Sequence, residues 1–223
     1  MPTKSRLLGP DLRLVSGLPR IEPLTLTARA DAFDDPEWLF EPKYDGFRGL
    51  IYNSPAGCEI RSRRDFRFER FGDLCERVSG ILGSREAILD GEVVALNRQG
   101  KPVFRDLLRG MGYVAFAAFD LLWLDGTDLR ALPLTERKRA LGELLAKDTG
   151  PLYKVLTLEE DGRALFSAAR KMDLEGIVAK RKSDPYGPAT TWYKIKNPVY
   201  SQVEGRGELF RPRDRRQAGR VGG

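Results

Sequence analysis

No histidine occurs anywhere in the 223 residues. That absence excludes a Ser-His-Asp triad, a Cys-His pair, an HExxH zinc helix and any imidazole general base. Cysteine is nearly as scarce: Cys58 and Cys75 are too few and too widely spaced for a zinc cage. A single disulfide between them is conceivable, but thiols in a reducing cytoplasm are the simpler reading. No apolar run approaches the roughly 18 residues of a membrane span, and the basic N-terminus lacks the continuous apolar stretch of a signal peptide. Lysine, arginine, carboxylates, hydroxyls and a bound metal remain as the available chemistry.

Charge is what the chain has in quantity. It carries 38 Lys and Arg against 32 Asp and Glu, a net +6 with a pI near 9.4. The 41% hydrophobic content is that of a soluble folded protein, and the length suits one large domain or two small ones. The excess charge is unevenly placed. Residues 1–20 hold four basic and one acidic side chain, residues 205–223 hold six arginines and two acids, and 21–204 come to −1. Gly9-Pro10 and Gly17-Leu18-Pro19 break any helix near the start. The expected organisation is therefore a flexible basic leader at 1–20, one domain at 21–204 and a flexible basic tail at 205–223. Basic ends suit a polyanionic partner. Inside the domain one local cluster stands out: 61–70, RSRRDFRFER, has five arginines, two acids and the interleaved Phe66 and Phe68.

Apolar alternation predicts strands at 38–44 and 47–53, joined by a tight turn at Asp45-Gly46. Helical spacing predicts helices at 74–82, 133–147 and 159–172, the second with a proline in its opening turn. Further strands are expected at 87–96, bent at Asp90-Gly91, at 113–124 as a buried run, and at 176–182 and 191–196. Strands and helices without a regular βαβ rhythm indicate a mixed α+β domain.

Four short segments carry candidate chemistry. In Glu41-Pro42-Lys43-Tyr44-Asp45-Gly46-Phe47-Arg48, Lys43 ends a predicted strand, where rigid backbone would hold its amine over a cleft. Taken alone this is more simply a surface hairpin with charged ends, since Asp-Gly turns near lysines are common. Leu89-Asp90-Gly91-Glu92 puts a carboxylate beside a strand bend. Glu175-Gly176-Ile177-Val178-Ala179-Lys180 has a glutamate and a lysine at opposite ends of a short strand. Trp192-Tyr193-Lys194-Ile195-Lys196 places two lysines on one face, because strand side chains alternate. Each is singly a solvated edge, a structural turn or a charge pair.

Together they form the ordered set KxDGxR, DGE, EGxxxK and KxK of covalent nucleotidyltransferases. With Ser62-Arg63, Ala118-Phe119-Asp120-Leu121-Leu122 and Tyr200-Ser201-Gln202, the chain resembles the nucleotidyltransferase domain of ATP-dependent DNA ligases from about Leu24 to Phe210. It is most like the bacterial ligase D group. The resemblance implies an α+β, ATP-grasp-like fold of the DNA ligase and mRNA capping enzyme type, with antiparallel sheets flanked by helices. It implies that Lys43 attacks the α-phosphate of ATP and becomes lysyl-AMP. Lys194 and Lys196 would contact that phosphate, and Glu175 would help hold Mg2+ or Mn2+. Arg48 and Glu92 would bind ribose, Phe119 would stack on the base, Glu41 would read the adenine amino group, and Arg63 would approach DNA near a nick. At an ordinary lysine pKa only roughly one amine in 2,500 is neutral at pH 7, so neighbouring cations are expected around Lys43.

The family has a glycine soon after Ser-Arg, where this chain has Arg64-Asp65. The resemblance also implies a bacterial, cytoplasmic, nucleoid-associated protein acting on nicked or broken double-stranded DNA, with no membrane partner. Only 27 residues follow Lys196, fewer than an OB barrel needs. The expectation is a minimal or split ligase in which the basic ends or a partner subunit replace that domain. An RNA ligase, another covalent nucleotidyltransferase such as a guanylyltransferase, and a non-catalytic DNA-end-binding repair module remain as alternatives.

Overall fold

Two β-sheets pack face to face in the computed structural model, which describes residues 17–146 and 150–203. The tail at 205–223 and residues 1–16 of the leader lie outside the described residues. The first sheet runs in the order β1 (Leu26–Ala28), β11 (Trp192–Lys196), β10 (Gly176–Arg181), β2 (Asp35–Lys43), β9 (Leu158–Glu160). The second runs β4 (Gly57–Ser62), β3 (Phe47–Ser54), β5 (Ala87–Leu96), β6 (Tyr113–Leu124), β7 (Thr127–Asp128), and β8 (Leu152–Lys154) also pairs with β6. Pairing is antiparallel except at β1–β11 and β6–β8, which are parallel, so the two sheets are mixed. Four α-helices and two short 3-10 turns (Glu69–Phe71 and Ser201–Val203) complete the described residues: α1 (Gly72–Leu82), α2 (Phe104–Arg109), α3 (Leu134–Leu144) and α4 (Gly162–Lys171).

Side-chain alternation sorts the layers. On the outer face of the first sheet Phe40, Ile177, Ala179 and Ile195 pack on Leu165 and Ala169 of α4. The second sheet turns Ile51, Leu89, Val93 and Phe116 toward Val78 of α1, Leu107 of α2 and Leu141 of α3. Between the sheets Leu50, Tyr52, Ile88 and Leu122 meet Val178 and Trp192. Leu18, Ile21 and Leu24 join that middle core, so packed residues reach three positions before the boundary set at 21. The segment after β11 is tied down at its far end: the Tyr200 hydroxyl donates to Asp45 at 3.0 Å, Ser201 Oγ to Asp173 at 2.6 Å, and the Phe104 amide to Gln202 Oε1 at 2.8 Å.

Two expectations are corrected. Asp45-Gly46 is not a hairpin turn, because β2 pairs with β10 and β9 while β3 pairs with β4 and β5. Asp45 is instead a buried acceptor for Tyr200. Gly46 lies so near β5 that a Cβ there would meet the Val93 carbonyl at 2.1 Å, a close approach only glycine permits. The real hairpin is β3–β4, with Ser54 opposite Gly57. The second correction concerns the helix expected at 159–172. Its first residues form edge strand β9, with Glu159 opposite Leu39, and the helix begins at Gly162. The bend expected at Asp90-Gly91 is present as a break in the β5–β6 register.

Candidate active site

Three strands of the first sheet line up the lysine-bearing segments. Lys43 stands opposite Gly176, which stands opposite Lys196; one row along, Glu41, Val178 and Lys194 are opposite in the same way. Period-two alternation puts Glu41, Lys43, Val178, Lys180, Lys194 and Lys196 on the face turned to the second sheet. Glu175, just ahead of β10, accepts from Lys43 Nζ at 2.5 Å and lies 3.7 Å from Lys196 Nζ. Gly176 makes this convergence possible. Its φ is +143°, and a Cβ would meet the Ile195 carbonyl at 2.0 Å.

The second sheet supplies the opposite wall. Arg48 and Glu92 are directly paired across β3–β5. Arg48 donates to both carboxylate oxygens of Asp90, at 3.1 and 2.7 Å, and to the Leu24 carbonyl at 2.5 Å. Tyr186 adds a donor to Asp90 at 2.7 Å. Burial disfavours the Arg48 charge, but Asp90 overcomes it and holds the guanidinium firmly charged. Phe119 is the unpaired residue where the β5–β6 register slips between Asp90 and Gly91. A bulge of this kind re-aims a side chain, and the ring lies 5.4 Å from the Arg48 guanidinium, beside the slot. Glu92 lines the same slot. Its burial, opposed by Lys43 and Arg48 and reinforced by Glu175 and Asp45, pushes its carboxyl up to about 8.

At the inner end of the slot the Glu41 carboxylate, 2% exposed, is shared by two ammonium groups. Lys138 of α3 pairs with Oε1, and Lys180 Nζ lies 2.6 Å from Oε2. The Thr157 hydroxyl donates to Oε1 at 3.3 Å. Burial alone would raise the Glu41 carboxyl, but the two lysines together hold it below the ordinary range. Trp192 and Val178 complete the walls.

Every nucleotide-directed residue expected from the sequence therefore lies at one slot and its mouth: Glu41, Lys43, Arg48, Glu92, Phe119, Glu175, Lys194 and Lys196. The expected ring of cations around Lys43 is only partly present, since the nearest charge is the Glu175 carboxylate. Sequence reading passed over Asp90 and Lys180, which lay inside quoted motifs without a role. Strand parity with Glu92 and Val178 would have placed both on the slot side. Lys138, Thr157 and Tyr186 lie in other segments of the chain and carry no comparable signal.

The arginine cluster divides into structural and exposed members. Arg61 is buried, donating to Glu59 at 2.9 Å and to Asp65 at 3.1 Å, while Arg70 donates to the Leu107 carbonyl at 2.5 Å. Arg63 and Arg64 are exposed and line the same cleft mouth as Lys43, Lys194 and Lys196. Between them and Phe66 the backbone closes a turn, with the Asp65 amide donating to the Ser62 carbonyl at 2.9 Å. Asp65 has φ +60°, the left-handed conformation that glycine usually supplies. Ion pairs from Asp65 to Arg20 and Arg61 secure it. The departure from the expected glycine is thus accommodated without loss of the turn. No group of three or more acidic, cysteine or histidine side chains among the described residues could alone hold a metal ion.

Comparison with known proteins gives concordant results. The family described as ATP dependent DNA ligase domain matches residues 25–196. The multifunctional non-homologous end joining protein LigD of Pseudomonas aeruginosa is 35% identical over 169 residues, covering 72% of this chain and 20% of that protein. The SPbeta prophage-derived DNA ligase-like protein LigB of Bacillus subtilis is 27% identical over 193 residues, covering 82% of this chain and 70% of that protein. Among solved structures, mycobacterial DNA ligase D complexed with ATP and MES superposes with a TM-score of 0.69 at 32% identity, covering 78% of this chain and 60% of that one. The chain spans about a fifth of the length of its LigD relatives.

Proposed function

The chain belongs to the ATP-dependent DNA ligase domain family, and from that premise we propose that it binds ATP in the slot between its sheets and seals DNA through a lysyl-AMP intermediate. The observation that carries this reading is the alignment of Lys43, Lys194 and Lys196 on neighbouring strands, with Glu175 just ahead of β10 between them, at the mouth of a slot walled by Phe119 and Val178. That arrangement sets a nucleophile and two phosphate-binding cations beside a base-sized recess.

The chemistry proceeds in three transfers. The Lys43 amine, released from Glu175 and deprotonated, forms an N–P bond to the α-phosphorus as the bond to pyrophosphate breaks. Lys194 and Lys196 neutralise the charge that develops on the α-phosphate oxygens. A DNA 5′-phosphate oxygen then takes the AMP as the N–P bond breaks. Finally the 3′-hydroxyl attacks the activated phosphate, AMP leaves and the strand is closed. Arg48 is preset for ribose by Asp90, and Glu92, neutral below its raised pKa, can donate to a ribose hydroxyl.

The donor set suits a divalent cation shared with substrate. Magnesium usually takes one or two carboxylates plus phosphate oxygens, and Glu175 is the carboxylate at the phosphate end of the site. Magnesium or manganese bound there would offset phosphate charge. Arg63 and Arg64, on the same mouth, would hold the DNA phosphate backbone of nicked or broken duplexes. The LigD relatives carry end joining in their names, and we assign this chain to double-strand-break repair in a bacterial cytoplasm by that likeness.

Incubation with ATP and magnesium is expected to add one AMP to the intact mass, and Lys43→Ala to abolish the adduct. No adduct on the unmodified chain at saturating ATP would overturn self-adenylation. Sealing of nicked DNA, compared with nicked RNA, then identifies the polynucleotide.

A further inference from the structure

Cys58 and Cys75 are the two thiols of the chain, and the proposed reaction uses neither. Both are free. Cys58 is half-buried on β4, and Cys75, 8% exposed, stands on α1, which packs against that strand. The fold brings the two sulfurs into hydrogen-bond contact, with Cys58 donating to Cys75. Both also line one open groove of about 650 Å³, together with Arg67, Glu69, Glu76 and Ser79. A cysteine that serves only as a small apolar filler needs neither a second sulfur nor a route to solvent.

The surroundings set the two thiols apart. Donation from the Cys58 thiol, the Arg67 charge and the Ile60 amide hold the Cys75 thiol below its ordinary range, although burial opposes them. Cys58 keeps its proton for that bond and is itself buried, so its thiol is pushed up. Thiolate character combined with access is what makes a cysteine oxidisable. The chain between the two sulfurs is also particular: residues 59–74 carry the exposed Arg63 and Arg64 at the cleft mouth.

We propose that Cys58 and Cys75 form a reversible redox site, in which a hydroperoxide oxidises Cys75 and Cys58 resolves the product into a disulfide that closes the loop bearing the arginine turn. The Cys75 sulfur first attacks one peroxide oxygen, and the O–O bond breaks. That sulfur becomes a sulfenic acid, while the other oxygen takes a proton and leaves, as water when the oxidant is hydrogen peroxide. The Cys58 sulfur then attacks the Cys75 sulfur and the S–O bond breaks. The departing hydroxide leaves as water with the Cys58 proton. Two thiols and one hydrogen peroxide thus give one disulfide and two waters, and a dithiol reductant reverses the change by exchange.

The full chain, reduced and then treated with stoichiometric hydrogen peroxide, is expected to lose about 2 Da, the mass of two hydrogens, and to regain it with dithiothreitol. Proteolysis without reductant is expected to yield one linked pair of peptides holding Cys58 and Cys75. In Cys58→Ser the resolving thiol is gone, and a dimedone adduct is expected to accumulate on Cys75. In Cys75→Ser the adduct on Cys58 is expected to form at least about tenfold more slowly. Retention of both thiols under peroxide overturns the proposal, as does oxidation to sulfinic or sulfonic acid without a cross-link, or a disulfide between two chains. Faster trapping at Cys58 than at Cys75 overturns it as well. The site is independent of ATP binding, and self-adenylation stands or falls separately.

Discussion

The Glu92 carboxyl lies among unlike charges, Lys43 and Arg48 on one side and Glu175 and Asp45 on the other, and burial decides the outcome. Its pKa moves from 4.5 to about 8. The folded state therefore holds a proton that the unfolded chain releases near 4.5. By linkage, stability falls as pH rises from about 4.5 to about 8, and levels off above that. Glu92→Gln keeps the hydrogen-bonding shape but cannot ionise. Melting temperatures of the variant are expected to decline less over that window, and the gap between the two proteins to widen toward pH 8. Parallel melting curves across the window would show that Glu92 titrates normally.

At the level of strands and helices, a fully buried ion pair ties α3 to β6. Arg137 and Asp120 are both fully buried and form a two-pronged ion pair at 2.9 Å, with Arg137 also donating to the carbonyls of Leu132 and Asp184. Removing one partner strands the other charge, at a cost of about 3–5 kcal/mol. Arg137→Met is thus expected to lower the denaturation midpoint sharply, and a shift below about 1 kcal/mol would contradict the buried-pair assignment. Such pairs also mark where sequence reading stopped. Strand β10 was legible because Ile177 and Ala179 alternate with Val178 and Lys180, and β3 because its apolar run Leu50–Tyr52 is buried on both faces. The site residues were legible because each sits beside a glycine or at a fixed strand spacing. Short elements such as α2, β8 and β9 have too few residues for a period to develop. The Asp45-Gly46 turn misled because local turn chemistry cannot say which strand each side will pair with. Lys138 and Tyr186 reach the slot only through tertiary contacts, and spacing does not encode those.

Across the whole molecule, the sequence places its excess positive charge at the two ends and in the 61–70 cluster. Residues 21–204 sum to near neutral, and among the described residues the exposed Arg63 and Arg64 line the mouth that holds Lys43. Each phosphate contact contributes about −0.9 to the slope of log K against log salt. Arg63→Ala and Arg64→Ala are each expected to weaken duplex binding and flatten that slope by about one contact's worth. An unchanged slope would return these side chains to ordinary solvated surface.

The route of the chain between the sheets has a mechanical consequence. Among the described strands it passes from the first sheet to the second once, at Tyr44–Gly46, and returns once, at Val155–Thr157. Tyr44 and Val155 both line the slot, and Thr157 bonds Glu41. The two sheets are thus the covers of a book whose spine runs along the slot. Opening the covers would swing the distant edges widely while displacing residues near the spine very little. Tyr44 and Val155 would then hold the inner end of the slot steady while the far edges of the sheets moved.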